Sequence, residues 1–224
     1  MRYMIHACPQ RLWYVEEFLI PSMLAQGIPE EEIVLWNDTE GKGNLFSCME
    51  SFRDCGRLAG GTWHLQDDVI LSRNFAEKTR ENDDGIVCGF GCNHFGPSMQ
   101  ERGRVPMPFM WYSFQCIRIP NETAGECAEW FFTDAMHRTR YAVQVADRRH
   151  DDWFFREFMT EKHKDLHVTN LDPNLADHID YLIGGTLINP LRRIQINRAA
   201  FWEDEALVEE LEERLREKNK TQMI

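Results

Sequence analysis

Gly60-Gly61-Thr62-Trp63-His64-Leu65-Gln66-Asp67-Asp68-Val69-Ile70-Leu71 is the stretch on which the reading of this chain turns. Trp63, Leu65 and then Val69, Ile70 and Leu71 read as a buried strand entered from a glycine turn. Two adjacent aspartates interrupt it, where an apolar pattern has no use for charge. A buried, unpaired carboxylate is costly, so such a pair either sits at the exposed end of the strand or holds a cation. Successive strand side chains point to opposite faces, so a continuous strand puts Gln66 and Asp68 on one face and Asp67 on the other. A strand-end carboxylate can coordinate a hard divalent ion whose other positions go to phosphate oxygens and water. The plainer alternative is that Asp67 and Asp68 cap the turn into Ser72-Arg73-Asn74.

Working outward, short apolar strands alternate with helical stretches. Tyr3 to Ala7 is a strand closed by Cys8-Pro9, and Trp13, Phe18, Leu19 and Leu24 form a helical stripe in which Pro21 forces a kink or restart. Ile33-Val34-Leu35-Trp36 is a second strand, stopping at Asn37-Asp38-Thr39. Gly41-Lys42-Gly43-Asn44 leads into a helix with Leu45, Phe46, Met49 and Phe52, and with Arg53 near its end. The glycines either bring backbone N–H groups to a phosphate or form a plain loop; there is no Walker pattern. Ile86 to Phe90 and Trp111 to Ile119 are further strands, Thr123 to Arg138 a helix. Gly96 to Pro108, with Arg102 and Arg104, reads as a loop over the site. His150-Asp151-Asp152 opens an aromatic helix, where acidic residues suit the positive end of the helix dipole. Leu166 to Thr169 is a late strand. Strand-helix-strand alternation of this kind predicts an α/β domain with a mostly parallel sheet, whose ligands bind off the carboxyl ends of the strands.

Size and charge narrow the function classes. The chain has 224 residues, 43% of them hydrophobic, which suits one domain with a sizeable core. A net charge of −12 argues against capture of nucleic acid or an anionic membrane. The seven cysteines lack scaffold spacing and read as reduced thiols, and no apolar run reaches membrane-spanning length. The chain is therefore expected to be cytoplasmic, with no integral membrane segment. Trp202 to Lys218 is a charged helix with a narrow apolar stripe, a possible route to an oligomer.

Taken in order, these blocks resemble a GT-A-type glycosyltransferase, of the compact form found among small bacterial and phage sugar transferases. The resemblance rests on the strand ending in Asn37-Asp38, the helix with Asn44 and Arg53, and the acidic strand Leu65-Gln66-Asp67-Asp68-Val69, similar to a DxD motif. It continues through Ile119-Pro120, His150-Asp151-Asp152-Trp153 and the Pro-x-Leu-x-x-His segment from Pro173 to His178. It covers roughly Tyr3 to Asn189.

That resemblance implies a single GT-A-like (Rossmann-like) domain over residues 1–200, with residues 201–224 a charged helix and tail. It implies a nucleotide-sugar donor, a hydroxyl acceptor such as a glycan, and a divalent metal, Mn2+ or Mg2+. Asp68 and His178 would be metal ligands, with His178 equally readable as a polar residue hydrogen-bonded between Asp177 and Asp180. Asp38, Asn44, Arg53, Gln66 and Asp67 would contact the donor, with Asp38 on the nucleoside or, equally, closing an Asx turn. Asp152 would be the catalytic base, with Asp151 capping the helix or meeting the acceptor. Gln66 departs from the pattern: it stands where many relatives place an acid, and it adds no negative charge for a metal. Two other classes stay open, a nucleotidyltransferase or metal-dependent phosphoesterase, and a non-catalytic nucleotide-sugar-binding module.

Overall fold

The structure, a computed structural model, describes residues 1–90, 103–106, 114–133, 151–165, 167–171, 174–179, 183, 209–210 and 213. Among these residues the core is a seven-stranded sheet. Its strands are β1 (Arg2–Ala7), β2 (Ile33–Asn37), β3 (Gly61–Gln66), β5 (Ile86–Cys88), β6 (Gly103–Pro106), β7 (Cys116–Pro120) and β8 (His167–Asn170), in the order β2-β1-β3-β7-β5-β8-β6. Strands β1, β2 and β3 are mutually parallel and β5 parallels β8, while β7 runs against both β3 and β5, and β6 against β8. The sheet is thus mostly parallel, the expected Rossmann-like α/β arrangement, with one reversed strand inside it and one at its edge.

The helices follow the apolar stripes. A helical stretch, α1 (12–25), runs from Leu12–Tyr14 through a π-helical segment at Val15–Leu19 to Ile20–Ala25. The kink expected at Pro21 is taken up here, since the wider π turn sits just before the proline, whose missing N–H falls in the first turn of Ile20–Ala25. Then come α2 (Asn44–Cys55), α3 (Phe75–Glu81), α4 (Asn121–Thr133) and α5 (Asp151–Lys162).

Strand alternation divides the core in two. Tyr3, Ile5, Trp63 and Leu65 pack with Tyr14, Val15 and Phe75 on one face. Met4, Ile117 and Ile119 pack with Phe52, Phe131, Phe154 and Phe155 on the other. Phe131, within the Trp130-Phe131-Phe132 cluster, is fully buried core. Helices α2 and α4 cross where two glycines meet: a Cβ on Gly125 would lie 2.9 Å from the Gly56 Cα. Entry to β3 needs its glycines as well. Gly60 has φ 89°, and a Cβ on Gly61 would sit 2.5 Å from the Arg118 guanidinium.

Two readings change. The acidic strand is not continuous: β3 ends at Gln66, Asp67 and Asp68 form a turn, and Val69–Leu71 is a separate strand, β4. Strand β4 pairs antiparallel with β9 (Ala176–His178) in a second, two-stranded sheet. Within the expected loop Gly96 to Pro108, Gly103–Pro106 is an edge strand on β8, a position that tolerates Pro106; the rest of that segment lies outside the described residues. So do His150 and nearly all of residues 201–224, which leaves the C-terminal helix and its oligomer role as expectations. No helix among the described residues is long and apolar enough to cross a membrane.

Candidate active site

Three parallel strands finish side by side. Ala7 is in register with Asn37, and His6 with Gln66, so Cys8, Asp38 and Asp67 emerge together at the carboxyl edge. The turn after β3 reverses the expected placement of the aspartates. Continuing the strand would drive Asp67 into the apolar face that holds Trp63 and Leu65. Instead both carboxylates meet one guanidinium. Arg11 Nη1 donates to Asp67 Oδ1 at 2.7 Å and also to Asp68 Oδ2. Arg11, Asp67 and Asp68 are 7%, 5% and 5% exposed, so this ion cluster is nearly buried.

Both oxygens of Asp67 have a partner, because the Cys8 backbone N–H donates to Asp67 Oδ2 at 2.8 Å. Asp68 is different. His178 Nε2 lies 3.0 Å from Asp68 Oδ2, and Asp68 Oδ1 is buried without a hydrogen-bond partner. The β4–β9 pairing makes this contact, since Val69 is in register with His178, and the Ile179 N–H donates to the Asp68 carbonyl at 2.8 Å. Burial pushes the Asp68 carboxyl up, but His178 and then Arg11 outweigh it and hold the group well below the usual carboxylate range. Burial and the Asp68 charge push Asp67 up, with Arg11 and the Cys8 N–H only partly opposing them. Burial and Asp67 together raise the Cys8 thiol to about 11, so this thiol is no nucleophile at neutral pH.

A second cluster sits one step inward on the α2 face. Asn44, the first residue of α2, donates to Asp151 Oδ1 at 2.9 Å, and Gln66 lends Asp151 a further side-chain hydrogen bond. The Asp152 backbone N–H donates to the same Asp151 oxygen at 3.0 Å. Asp151 is 3% exposed while Asp152 is half-buried, so only Asp152 offers its carboxylate toward solvent-accessible space. Burial raises the Asp151 carboxyl to about 6 against these hydrogen bonds. The departure at Gln66 now has a physical reason: an acid at that position would repel the buried Asp151, whereas an amide donates to it.

Two expected donor contacts are not part of this convergence. Arg53, in the last turn of α2, is exposed and stacks over the Phe132 ring at 4.7 Å. It lies more than two helical turns from Asn44 along α2. Asp38 spends its carboxylate on the chain itself, accepting from the Lys42 and Gly43 N–H groups at 2.9 and 2.8 Å. These bonds close the loop from Asp38 to Gly43 and engage both N–H groups. Lys42 pairs with Glu50 and Glu40 at the surface.

Sequence reasoning missed Arg11 entirely. The available signal was its place a few residues past the end of Tyr3–Ala7, beside the strand that carries the acids. A further polar pair escaped notice on the opposite, α2 face: His6 Nε2 and His64 Nδ1 are 3.0 Å apart with stacked rings, under Phe52.

The donor chemistry suits a divalent cation in part. Asp68 has one uncommitted oxygen, and His178 brings an imidazole nitrogen to the same carboxylate. Among the described residues, however, no group of three or more His, Cys, Asp and Glu side chains is arranged to hold a metal by itself. A cation here would take Asp68 and His178 from the chain and its remaining positions from ligand oxygens and water.

No family model matches this chain, and no curated protein matches it. Solved structures similar to it include A197 from STIV, at 13% identity and a TM-score of 0.39, covering 80% of this chain and 86% of that one. Another is the mannose-1-phosphate geranyltransferase from Thermus thermophilus, at 13% identity and a TM-score of 0.40, covering 76% of this chain and 74% of that one. Similarity at this level assigns neither activity nor substrate, so the chemistry of the site rests on its own residues.

Proposed function

We propose that this chain is a glycosyltransferase that moves a sugar from a nucleotide-sugar donor to a hydroxyl acceptor such as a glycan, assisted by Mn2+ or Mg2+, with residues 1–200 as its catalytic unit. The observation that carries this reading is the convergence of Gln66, Asp67, Asp68, His178, Asn44 and Asp151 at the carboxyl edge of β1 and β3. In open α/β sheets that edge is where ligands bind.

Charge supports the need for a cation. Two carboxylates face one guanidinium and His178, so the cluster is balanced by its own cations and has no positive charge to spare for phosphates. A diphosphate donor would bring negative charge, and a divalent ion offsets it while stabilising the leaving phosphate. Asp68 and His178 would hold that ion. Asp67, pinned by Arg11 and the Cys8 N–H, faces the ribose or sugar hydroxyls. Asp38 shapes the loop on which the nucleoside rests.

Proton transfer falls to the mouth of α5. If transfer inverts the anomeric centre, Asp152 takes the acceptor hydroxyl's proton as that oxygen attacks the anomeric carbon. Asp151 is its anchor: Asn44 and Gln66 fasten it, and its oxygen fixes the Asp152 backbone. A panel of UDP-, GDP-, CMP- and dTDP-sugars, each with and without Mn2+, tests the assignment. At least one donor should raise the melting temperature with Mn2+ and be consumed when an acceptor glycan is added. Absence of stabilisation and turnover across the panel would count against it.

A further inference from the structure

We propose that Gln66 and Asp151 form a proton-driven amide switch. The Gln66 side chain turns over as Asp151 gains or loses a proton, which reverses the group it offers at the carboxyl edge of β3 between hydrogen-bond donor and acceptor. This names a regulation of the site proposed above and rests on Gln66 facing the nucleotide-sugar there.

Asp151 differs from the acidic turn in its partners. Asp67 and Asp68 share the Arg11 guanidinium, whereas among the described residues every partner of Asp151 is neutral. Asn44 Nδ2 and the Asp152 backbone N–H both donate to Asp151 Oδ1, at 2.9 and 3.0 Å, and the Gln66 side chain supplies the remaining bond. An ionised Asp151 takes an N–H from Gln66 as well. A protonated one carries an O–H that needs an acceptor. Asn44 and the Asp152 N–H are committed to Oδ1, which leaves the Gln66 carbonyl to receive it. An amide serves both states by a half-turn about its last side-chain bond, while an acid in its place would add a second charge. Burial of Asp151 raises its carboxyl to about 6, so both states are populated close to neutral pH. Asp152, beside it on α5, is the other acid there. The Cys48 thiol of α2 is kept neutral by burial. So are His6, in register with Gln66, and His64, two residues before Gln66 on the same strand face. Gln66 is half-buried at the end of β3, and its other amide atom makes no hydrogen bond among the described residues. With its N–H turned to an ionised Asp151, Gln66 therefore offers a carbonyl oxygen that accepts from a ligand hydroxyl. With its carbonyl turned to a protonated Asp151, it offers an NH2 group that donates to a ligand carbonyl or phosphate oxygen.

The test is heteronuclear NMR of the labelled full chain, without ligand, from about pH 5 to 8. It follows the Gln66 side-chain amide and the Asp151 carboxyl together, with Gln66→Met identifying the amide signals. Above the midpoint one amide proton is held on the carboxylate, so it should lie downfield of its geminal partner and exchange slowly with water. Below the midpoint it should lose both marks, and the change should share its midpoint with the Asp151 carboxyl. Asp151→Asn presents an N–H to the Gln66 carbonyl at every pH. Its Gln66 signals should therefore match those of wild type at low pH and show no inflection. In Gln66→Met the ionised Asp151 loses a charge-assisted bond and the protonated form only a neutral one, so Asp151 should hold its proton about tenfold more tightly. That arm and the wild-type spectra decide the matter if Asp151→Asn does not fold. A wild-type amide without an inflection overturns the proposal, as does an inflection that persists in Asp151→Asn. So does an Asp151 that titrates while the Gln66 proton stays on it, or whose midpoint is unchanged in Gln66→Met. No nucleotide-sugar enters these measurements, so their failure leaves the donor panel untouched, and failure of the panel leaves the switch itself to stand or fall on the spectra.

Discussion

Asp151 is a carboxyl group held against its own solvation. Its folded pKa of about 6 lies above the ordinary 3.8, so the folded chain keeps a proton that the unfolded chain releases between these values. The stabilisation that comes with that proton is complete below the lower value and is lost as pH rises through the upper one. At pH 8 the ionised, buried group is a burden. Asp151→Asn keeps an oxygen to accept from Asn44 and removes that burden, at the cost of a favourable charge at the start of α5. The variant should therefore be more stable at pH 8 by on the order of 2 kcal/mol, a gain that vanishes near pH 4. Urea unfolding at the two pH values measures it. The histidine pair has the opposite sign. Burial lowers His6 to about 4 and His64 well below its ordinary value, so both stay neutral in the fold. The unfolded chain takes up protons first, and stability should fall as pH drops from about 6.5 towards 4. That slope should flatten in the His6→Gln/His64→Gln double variant; an unchanged slope would mean that other groups set the acid limb. At this scale the need of Asp67 and Asp68 for a partner was legible, because carboxylates inside an apolar run have few uses. Arg11, His6 and His64 were not, because a lone arginine after a strand reads as solvated and alternate histidines in strands read as surface.

The elements were legible wherever burial is continuous along the chain. Strands β1, β2 and β5 and helices α2 and α4 announce themselves by apolar runs and 3.6-residue stripes. Pairing between distant segments was not, since nothing local in Ala176–His178 says that it joins Val69–Leu71. That unread pairing is what breaks the acidic strand and turns both carboxylates to one side. The α2–α4 contact offers a test of packing at this scale. The backbones touch through Gly56 and Gly125, and a Cβ at either position meets the other's Cα. Gly125→Ala, although alanine is the better helix former, should destabilise by about 1–3 kcal/mol because main chain cannot swing aside as a side chain can. Thermal unfolding of Gly125→Ala beside wild type reads this directly. A rise in melting temperature would mean that the helices do not approach so closely.

Across the whole molecule, an acidic chain places its most deeply paired acids at the carboxyl edge of a mostly parallel sheet. The first three strands in the order, β2-β1-β3, supply that edge, the reversed β7 flanks it, and the small β4–β9 sheet folds His178 over it. The central claim is that this edge is a donor site whose occupancy is linked to a cation through Asp68. Isothermal titration of wild type and Asp68→Asn with the nucleotide-sugar picked out by the donor panel, each with and without Mn2+, tests it most directly, at a temperature where both remain folded. Wild type should bind the donor at least about tenfold more tightly with Mn2+, and Asp68→Asn should lose that increment while its circular dichroism stays native. Donor affinity and Mn2+ dependence unchanged in Asp68→Asn would contradict the claim.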